Sequence, residues 1–309
     1  MTTRYFEHDI FQQHITPPGH PERVDRLRAL EEALSADPFA ALDRAQAPRA
    51  PDEAVLLAHP ERFLDKVRDA IPETGMVRID NDTVASPKSL EAAMHAIGAA
   101  MAAVDGVFAG TFDNAFVAAR PPGHHAEKET AMGFCLFNTA AIAARHAQKA
   151  HGAERVAIID WDVHHGNGTQ DIFWDDATVL YCSTHQMPLY PGTGARDETG
   201  EHGTIVNAPL SPGAAGEAFR EAFRSRVLDS IDEFGPDLII VSAGFDAHIR
   251  DPLANINLVE EDFDWATGRL IEAAGRHADN RLVSLLEGGY DLQGLAASAA
   301  MHINRLMRG

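Results

Sequence analysis

AIIDWDVHHGNGTQ, residues 157–170, opens as a buried strand and ends in charge. Ala157, Ile158 and Ile159 lead directly into Asp160, Asp162, His164 and His165. Strands of parallel sheets are close to continuous apolar runs, and Asp is almost never fully buried without a partner. Side chains two apart on an extended segment share a face, so Asp160, Asp162 and His164 point the same way. A carboxylate and an imidazole converging in a dry crevice are poorly satisfied unless a cation joins them. For D-x-H alone, an Asp–His hydrogen bond closing the strand is the simpler account. The neighbouring segments decide against it.

Similar strands with polar or glycine ends recur at 114–121 (NAFVAARP), 155–163 (RVAIIDWDV), 178–185 (TVLYCSTH), 204–210 (TIVNAPL), 236–246 (PDLIIVSAGFD) and 281–290 (RLVSLLEGGY). Amphipathic stretches lie between most of them. Leu90, Met94, Ile97, Met101 and Val104 step by four and three, which predicts a helix starting at Ser86-Pro87 and ending at Gly106. Phe219, Phe223, Val227, Leu228 and Ile231 predict another that stops at Gly235-Pro236. The alternation predicts a single α/β domain over residues 1–309. Its mostly parallel sheet carries helices on both faces. Ligands of such sheets bind beyond the carboxyl ends of the strands, where the polar residues collect.

Composition sets the surroundings. The 309 residues are 45% hydrophobic and 23% charged, an ordinary globular balance. Cys135 and Cys182 are the only cysteines, too few for a disulfide framework or a Cys-based zinc site. Forty-six acidic residues against 26 basic ones leave a formal charge of −20. Such a surface repels phosphate backbones and argues against direct nucleic-acid binding. It reads first as a solvated acidic surface, and second as a field that suits a cationic substrate or peptide tail. No apolar run approaches the roughly 20 residues of a membrane helix. MTTRYFEHDIFQQH at the N-terminus lacks the apolar core of a signal peptide. A cytoplasmic protein without a membrane partner is expected, and homo-oligomerisation is left open.

Three further strand ends carry chemistry. Asp246 follows Gly244 in IIVSAGFDAH and offers a third ligand beside Asp162 and His164. An Asp/His/Asp set leaves a coordination position open for water, the catalytic pattern for zinc, although oxygen-rich ligation also suits Fe(II) or Mn(II). In ARPPGHHAEKETAMGFC (119–135), Pro121, Pro122 and Gly123 stiffen and turn the chain ahead of His124 and His125. Paired imidazoles outside a ligand set suit proton transfer near neutral pH. In LLEGGYDL, glycines bring the backbone close to the site, and the Tyr290 phenol can donate to an oxyanion.

Together these segments closely resemble the histone deacetylase superfamily, whose fold is arginase-like. The similarity runs from GHPERVDR (19–26) to EGGYD (287–291), with RPPGHHA, GFCLFN, DWDVHHGNGTQ, PGTG, AGFDAH, DPL and LEGGY in family order. It implies a parallel sheet of about eight strands and zinc-dependent hydrolysis of a linear amide. The substrate is then an acylated lysine of a peptide or protein, or a small acylated amine, with release of acetate.

By the same resemblance Asp162, His164 and Asp246 are the zinc ligands. His124 and His125 are the histidine pair, with His125 the general base, and Asp160 orients His124. Asn167 stands where class I members have Asp and class II members Asn, which implies a less basic His125. Tyr290 matches the catalytic tyrosine. Gly133, Phe134, Tyr190 and Leu253 match the acyl-lysine channel. Asp160, Asp162, His164, Ser183 and Thr184 match a potassium site, and Phe173, Asp176 and Val179 part of a second one. Arg26 matches an arginine of the acetate-release channel, for which a surface salt bridge is the simpler account. Leu253 occupies the place where one polyamine-selective branch has Glu, which favours lysine over acetylpolyamine. An arginase-type enzyme would need more bridging carboxylates for two metals, and a silent acyl-lysine reader would lack a ligand or the tyrosine.

Overall fold

The computed structural model describes residues 1–309. Its strands are β1 (Thr3–Glu7), β2 (Asp43–Gln46), β3 (Val77–Arg78), β4 (Val84–Ala85), β5 (Asn114–Val117), β6 (Val156–Asp160), β7 (Val179–Gln186), β8 (Ile205–Leu210), β9 (Leu238–Ala243) and β10 (Leu282–Leu286). β3 and β4 form a small antiparallel pair. The other eight build one sheet in the order β2-β1-β5-β10-β9-β6-β7-β8, and every neighbouring pair in it is parallel.

The six segments expected to be strands are strands, with ends that shift by a few residues; β7 runs one residue further, to Gln186. β1 and β2 had no counterpart in the sequence reading. TRYFE and DRAQ carry charges on their exposed side, and only neighbours in the sheet make strands of them: Thr3 and Tyr5 turn into the core while Arg4 pairs with Asp43 across the ladder.

Helices cover both faces, as a parallel sheet requires. On one side α1 (Asp25–Ala33), α8 (Glu260–His277) and α9 (Leu292–Arg308) pack together, and on the other α3 (Ser89–Ala109) packs on α4 (Thr139–His151). α2 (Glu61–Ala70) and α5 (Asn167–Ile172) are shorter.

α3 departs from its expected limits. It runs to Ala109 and ends at Gly110, whose φ of +66° forms a left-handed cap. Gly106 lies inside the helix, where the ring of Phe112 occupies the place of a side chain. Ser86 is not its cap either, since its hydroxyl accepts from the Ile15 N–H. α3 is also long and apolar enough to cross a membrane by length and composition, contrary to the expectation that no run approached that size. Two-thirds of its most apolar window is buried, which is the signature of a core helix.

The segment 216–234 is helical throughout, as α6 (Gly216–Ala222), a π-helical segment (Phe223–Leu228) and α7 (Asp229–Phe234). Phe219, Phe223, Val227 and Ile231 repeat every four residues and are all buried. An α-helix would rotate such a repeat away from the core, and the wider π turn keeps it facing inward.

Candidate active site

The carboxyl ends of β5, β6, β7, β9 and β10 converge on one cavity of about 260 Å³, lined by Asp82, His125, Gly133, Phe134, His164, Leu189, Tyr190, Leu253 and Tyr290. In the sheet Asp160 stands level with Ser183 of β7 and Ser242 of β9. The charge that closes β6 therefore lies between two neighbouring strand ends, next to where the chain turns into Asp162 and His164.

Asp162, His164 and Asp246 meet at the cavity floor, and all three are buried. His164 Nδ1 lies 3.2 Å from Asp162 Oδ1 and 3.0 Å from Asp246 Oδ2. Ligands 2.0–2.1 Å from a tetrahedral ion are about 3.3 Å apart, so the imidazole already stands from each carboxylate almost at the spacing a divalent ion imposes. The backbone fixes both carboxylates. Asp162 accepts from the Gly288 N–H at 2.8 Å and Asp246 from the Val163 N–H at 2.8 Å. A Cβ on Gly288 would strike both carboxylates, at 2.3 and 2.5 Å, which explains the glycine of LEGGY. The pKa of His164 is pushed up to about 10, because Asp162 and Asp246 outweigh the opposing effect of burial. Burial and Asp162 raise Asp246 to about 7.

The two histidines of RPPGHH are pushed in opposite directions by their surroundings. His124 Nδ1 bonds Asp160 Oδ2 at 3.0 Å, and Tyr181 donates to the same oxygen at 3.0 Å. Burial disfavours its charge, but Asp160 and Asp162 prevail and raise its pKa well above the usual range. His125 Nδ1 bonds Asn167 Oδ1 at 2.8 Å. Burial and the charges of His124 and His164 lower its pKa well below the usual value. The surroundings thus favour the charged form of His124 and the neutral form of His125, whose ring centres are 4.0 Å apart. His165 turns away, toward Thr193 and Gln170.

Gly133 and Phe134 both have positive φ, 57° and 69°. That turn lays Gly133 against the His125 ring, where a Cβ would come within 2.4 Å, and presents Phe134 to Tyr290 at 5.8 Å. Tyr190 stands edge-on to His125 at 5.2 Å and remains 38% exposed at the mouth. Leu253 completes the wall.

The residues of this chain fit a family pattern over most of its length. The histone deacetylase domain model matches residues 20–306. The chain belongs to the histone deacetylase family. It is 41% identical over 284 residues to the histone deacetylase-like amidohydrolase of Pseudomonas aeruginosa, covering 89% of this chain and 74% of that one. It is 37% identical to the chloroplastic histone deacetylase 14 of Arabidopsis thaliana, covering 94% and 73%. The crystal structure of the HDA15 HD domain superimposes with a TM-score of 0.93 at 36% identity, over 99% of this chain and 88% of that one. The deacetylase-family fold and amidohydrolase class follow.

Arg26 corrects the surface salt bridge expected of it. It is fully buried. Its guanidinium donates to the Gly289 and Glu287 carbonyls at 2.6 and 2.5 Å, bonds Glu22 at 3.2 Å, and lies 5.1 Å over the Tyr290 ring. Of the residues matched to potassium sites, Ser183 bonds His185, and Thr184 Oγ1 is buried without a partner. Phe173 and Val179 are buried, and the Asp176 carboxylate pairs with Arg145 at 2.6 Å.

Four residues of the site went unread in the sequence. Glu287, the acid before the paired glycines, accepts from the Gly123 N–H at 2.7 Å and the His124 N–H at 3.2 Å, which anchors the histidine loop. Burial lifts its pKa to about 7. Asp251, in DPL, accepts from the Tyr290 N–H at 2.7 Å and the Leu253 N–H at 3.0 Å. Glu127 bonds Asn167, and Asp82 lines the cavity. The acids of EGGY and DPL, beside glycines and proline at strand ends, carried the available signal.

Proposed function

We propose that the chain is a zinc-dependent deacylase that removes acetyl or related acyl groups from the Nε of lysine side chains. The observation that carries this reading is the Asp162–His164–Asp246 triangle at the floor of a cavity that also holds His125 and Tyr290. Those three side chains would hold the ion. When bound, zinc supplies a polarising charge for an amide carbonyl and lowers the pKa of water.

The remaining chemistry belongs to the protein. His125 is neutral and hydrogen-bonded through Nδ1, which leaves Nε2 to take a proton from water. His124, kept cationic by Asp160, favours negative charge developing beside it, and the imidazole pair returns a proton to the leaving amine. Burial raises the Tyr290 phenol well above its usual range, so it stays protonated and donates to the carbonyl oxygen as charge develops there. Phe134, Tyr190 and Leu253 enclose the methylenes of the side chain and exclude water. Potassium fits beside β7, where the unpartnered Thr184 hydroxyl supports a cation near the Asp160–Asp162–His164 backbone.

Acetylpolyamine is the second reading. It is favoured by Asp82 in the cavity wall, with Asp80 close enough to raise its pKa along with burial. Such a pair would suit a distal ammonium. The test is a comparison of kcat/KM on an acetyl-lysine peptide, acetylputrescine and longer acyl-lysines, using zinc-loaded protein and His164→Ala. Fastest turnover of the peptide, with neither metal nor activity in the variant, is expected. Faster acetylputrescine turnover would transfer the assignment to polyamines, and full zinc occupancy in the variant would refute the ligand set.

A further inference from the structure

A second group of ligand atoms lies far from the cavity. Asp105 is in the last turns of α3, and His146 and His151 are in the last turns of α4. α3 leads into β5 and α4 into β6, so both helix ends sit at the amino ends of the strands, on the opposite side of the sheet from the active site. His146 Nε2 and His151 Nε2 approach the same oxygen, Asp105 Oδ1, at 2.6 and 2.7 Å. We propose that Asp105, His146 and His151 form a surface site for a divalent transition-metal ion that clips α3 to α4.

Three features support a built site over a casual cluster. Two imidazoles and one carboxylate are the donor set of borderline ions such as Zn²⁺, Ni²⁺ and Co²⁺. Both Nε2 atoms aim at a single point, and each lies about 0.6–0.7 Å closer to the carboxylate oxygen than the about 3.3 Å between ligands of a tetrahedral ion. Asp105 is 54% exposed, so its side chain is free to swing outward by that amount. The rings are also preset. His151 stacks on Phe108 at 4.7 Å with planes 8° apart, and Arg281 covers Phe108 at 4.6 Å. His146 meets His151 edge-on at 5.8 Å. Neither Nδ1 bonds a group of the chain, so each ring is free to carry its proton there and turn an Nε2 lone pair on the ion. Partial exposure, 14% and 24% for the two imidazoles, leaves the remaining coordination positions to water.

The test compares the untagged full-length chain with the His146→Gln/His151→Gln double variant, since a polyhistidine tag would bind the same ions. After equilibration at micromolar free Zn²⁺, elemental analysis is expected to find one more equivalent in the wild type. Zn²⁺ is also expected to raise the melting temperature of the wild type more than that of the double variant, with equal deacylation rates in both. The site is independent of the catalytic assignment: His164→Ala should lose a different equivalent, and the losses should add. Equal metal content in wild type and a folded double variant, as judged by matching circular dichroism, would overturn the proposal.

Discussion

Glu127 accepts a hydrogen bond of 2.8 Å from Asn167, and that bond determines which way the Asn167 amide faces. With its nitrogen committed to Glu127, Asn167 can present only oxygen to His125 Nδ1, at 2.8 Å. An amide oxygen is purely an acceptor, so His125 carries its proton on Nδ1 and keeps the Nε2 lone pair. An Asn in place of Asp weakens the imidazolium, and Glu127 returns a negative charge one hydrogen bond further out.

Replacing Glu127 separates orientation from charge. Glu127→Ala frees the amide to rotate and is expected to lower kcat roughly tenfold, within the range for groups that orient catalytic partners, with KM little changed. Glu127→Gln keeps an acceptor and should retain most of the rate. Steady-state kinetics on one acetyl-lysine peptide distinguish the two, and an alanine variant as fast as wild type removes Glu127 from the relay.

Tyr290 is held between Phe134 and Arg26 with its phenol at the cavity. Tyr290→Phe deletes a single donor without opening space. The loss expected for one oxyanion donor is on the order of 10²–10³ in kcat, with zinc content unchanged. Unaltered turnover in a fully metallated variant would show that the phenol is a spectator.

Arg26 supports that tyrosine from below. Arg26→Met would leave the Gly289 and Glu287 carbonyls unpaired in the core, though Glu22 keeps Arg120 as a counter-ion. Breaking a buried ionic network from one side costs about 3–5 kcal/mol. A drop in melting temperature together with reduced kcat is expected, because the loop that carries Tyr290 loses two of its anchors. Arg26→Lys, which keeps the charge without the fork, should fall between the two. An Arg26→Met protein as stable as wild type contradicts the buried role.

Legibility followed how local each signal was. DWDVHHGN, AGFD and RPPGHH each place reactive side chains at a strand end, and alternation of apolar runs marks the strands that carry them. A single pattern sufficed. β1 and β2 escaped notice because their charged outer side breaks any apolar run, and only pairing in the sheet, β1 with β5 and β2 with β1, makes them strands. The end of α3 was misplaced because Gly106 looks like a cap, while Phe112, six residues on, is what requires a glycine there. Arg26 looked superficial because charge alone says nothing of burial. Glu287, Asp251 and Glu127 act through backbone and amide bonds to partners 39 to 164 residues away, which no local window contains.

Stability should depend on pH through three buried histidines that lie outside the metal triangle. Burial is the main cause in each case: it lowers His59 and His185 to about 4 and His302 to about 3. His302 lies between Thr267 and Ser284, at 2.6 and 2.8 Å, with no carboxylate to favour a charge. In the unfolded chain each titrates near the ordinary histidine value of about 6.5. Above that pH neither state binds the proton, and the residues contribute no pH dependence. Below it the unfolded state takes up protons that the folded state refuses, so stability falls as pH drops, at up to about 1.4 kcal/mol per pH unit for each histidine. The fall continues until the folded-state pKa values are reached. In denaturant midpoints measured between pH 6.5 and 4.5 this loss is set against the opposite contribution of Glu287, whose carboxyl burial raises to about 7, so the histidine contribution is read from a variant rather than from the wild-type slope alone. His302→Gln removes one titrating group. Its core packing lowers stability at every pH, but the slope against pH should be shallower than wild type by about that amount. Parallel slopes for the two proteins would show that His302 takes up its proton equally in both states, and that the acid sensitivity originates elsewhere.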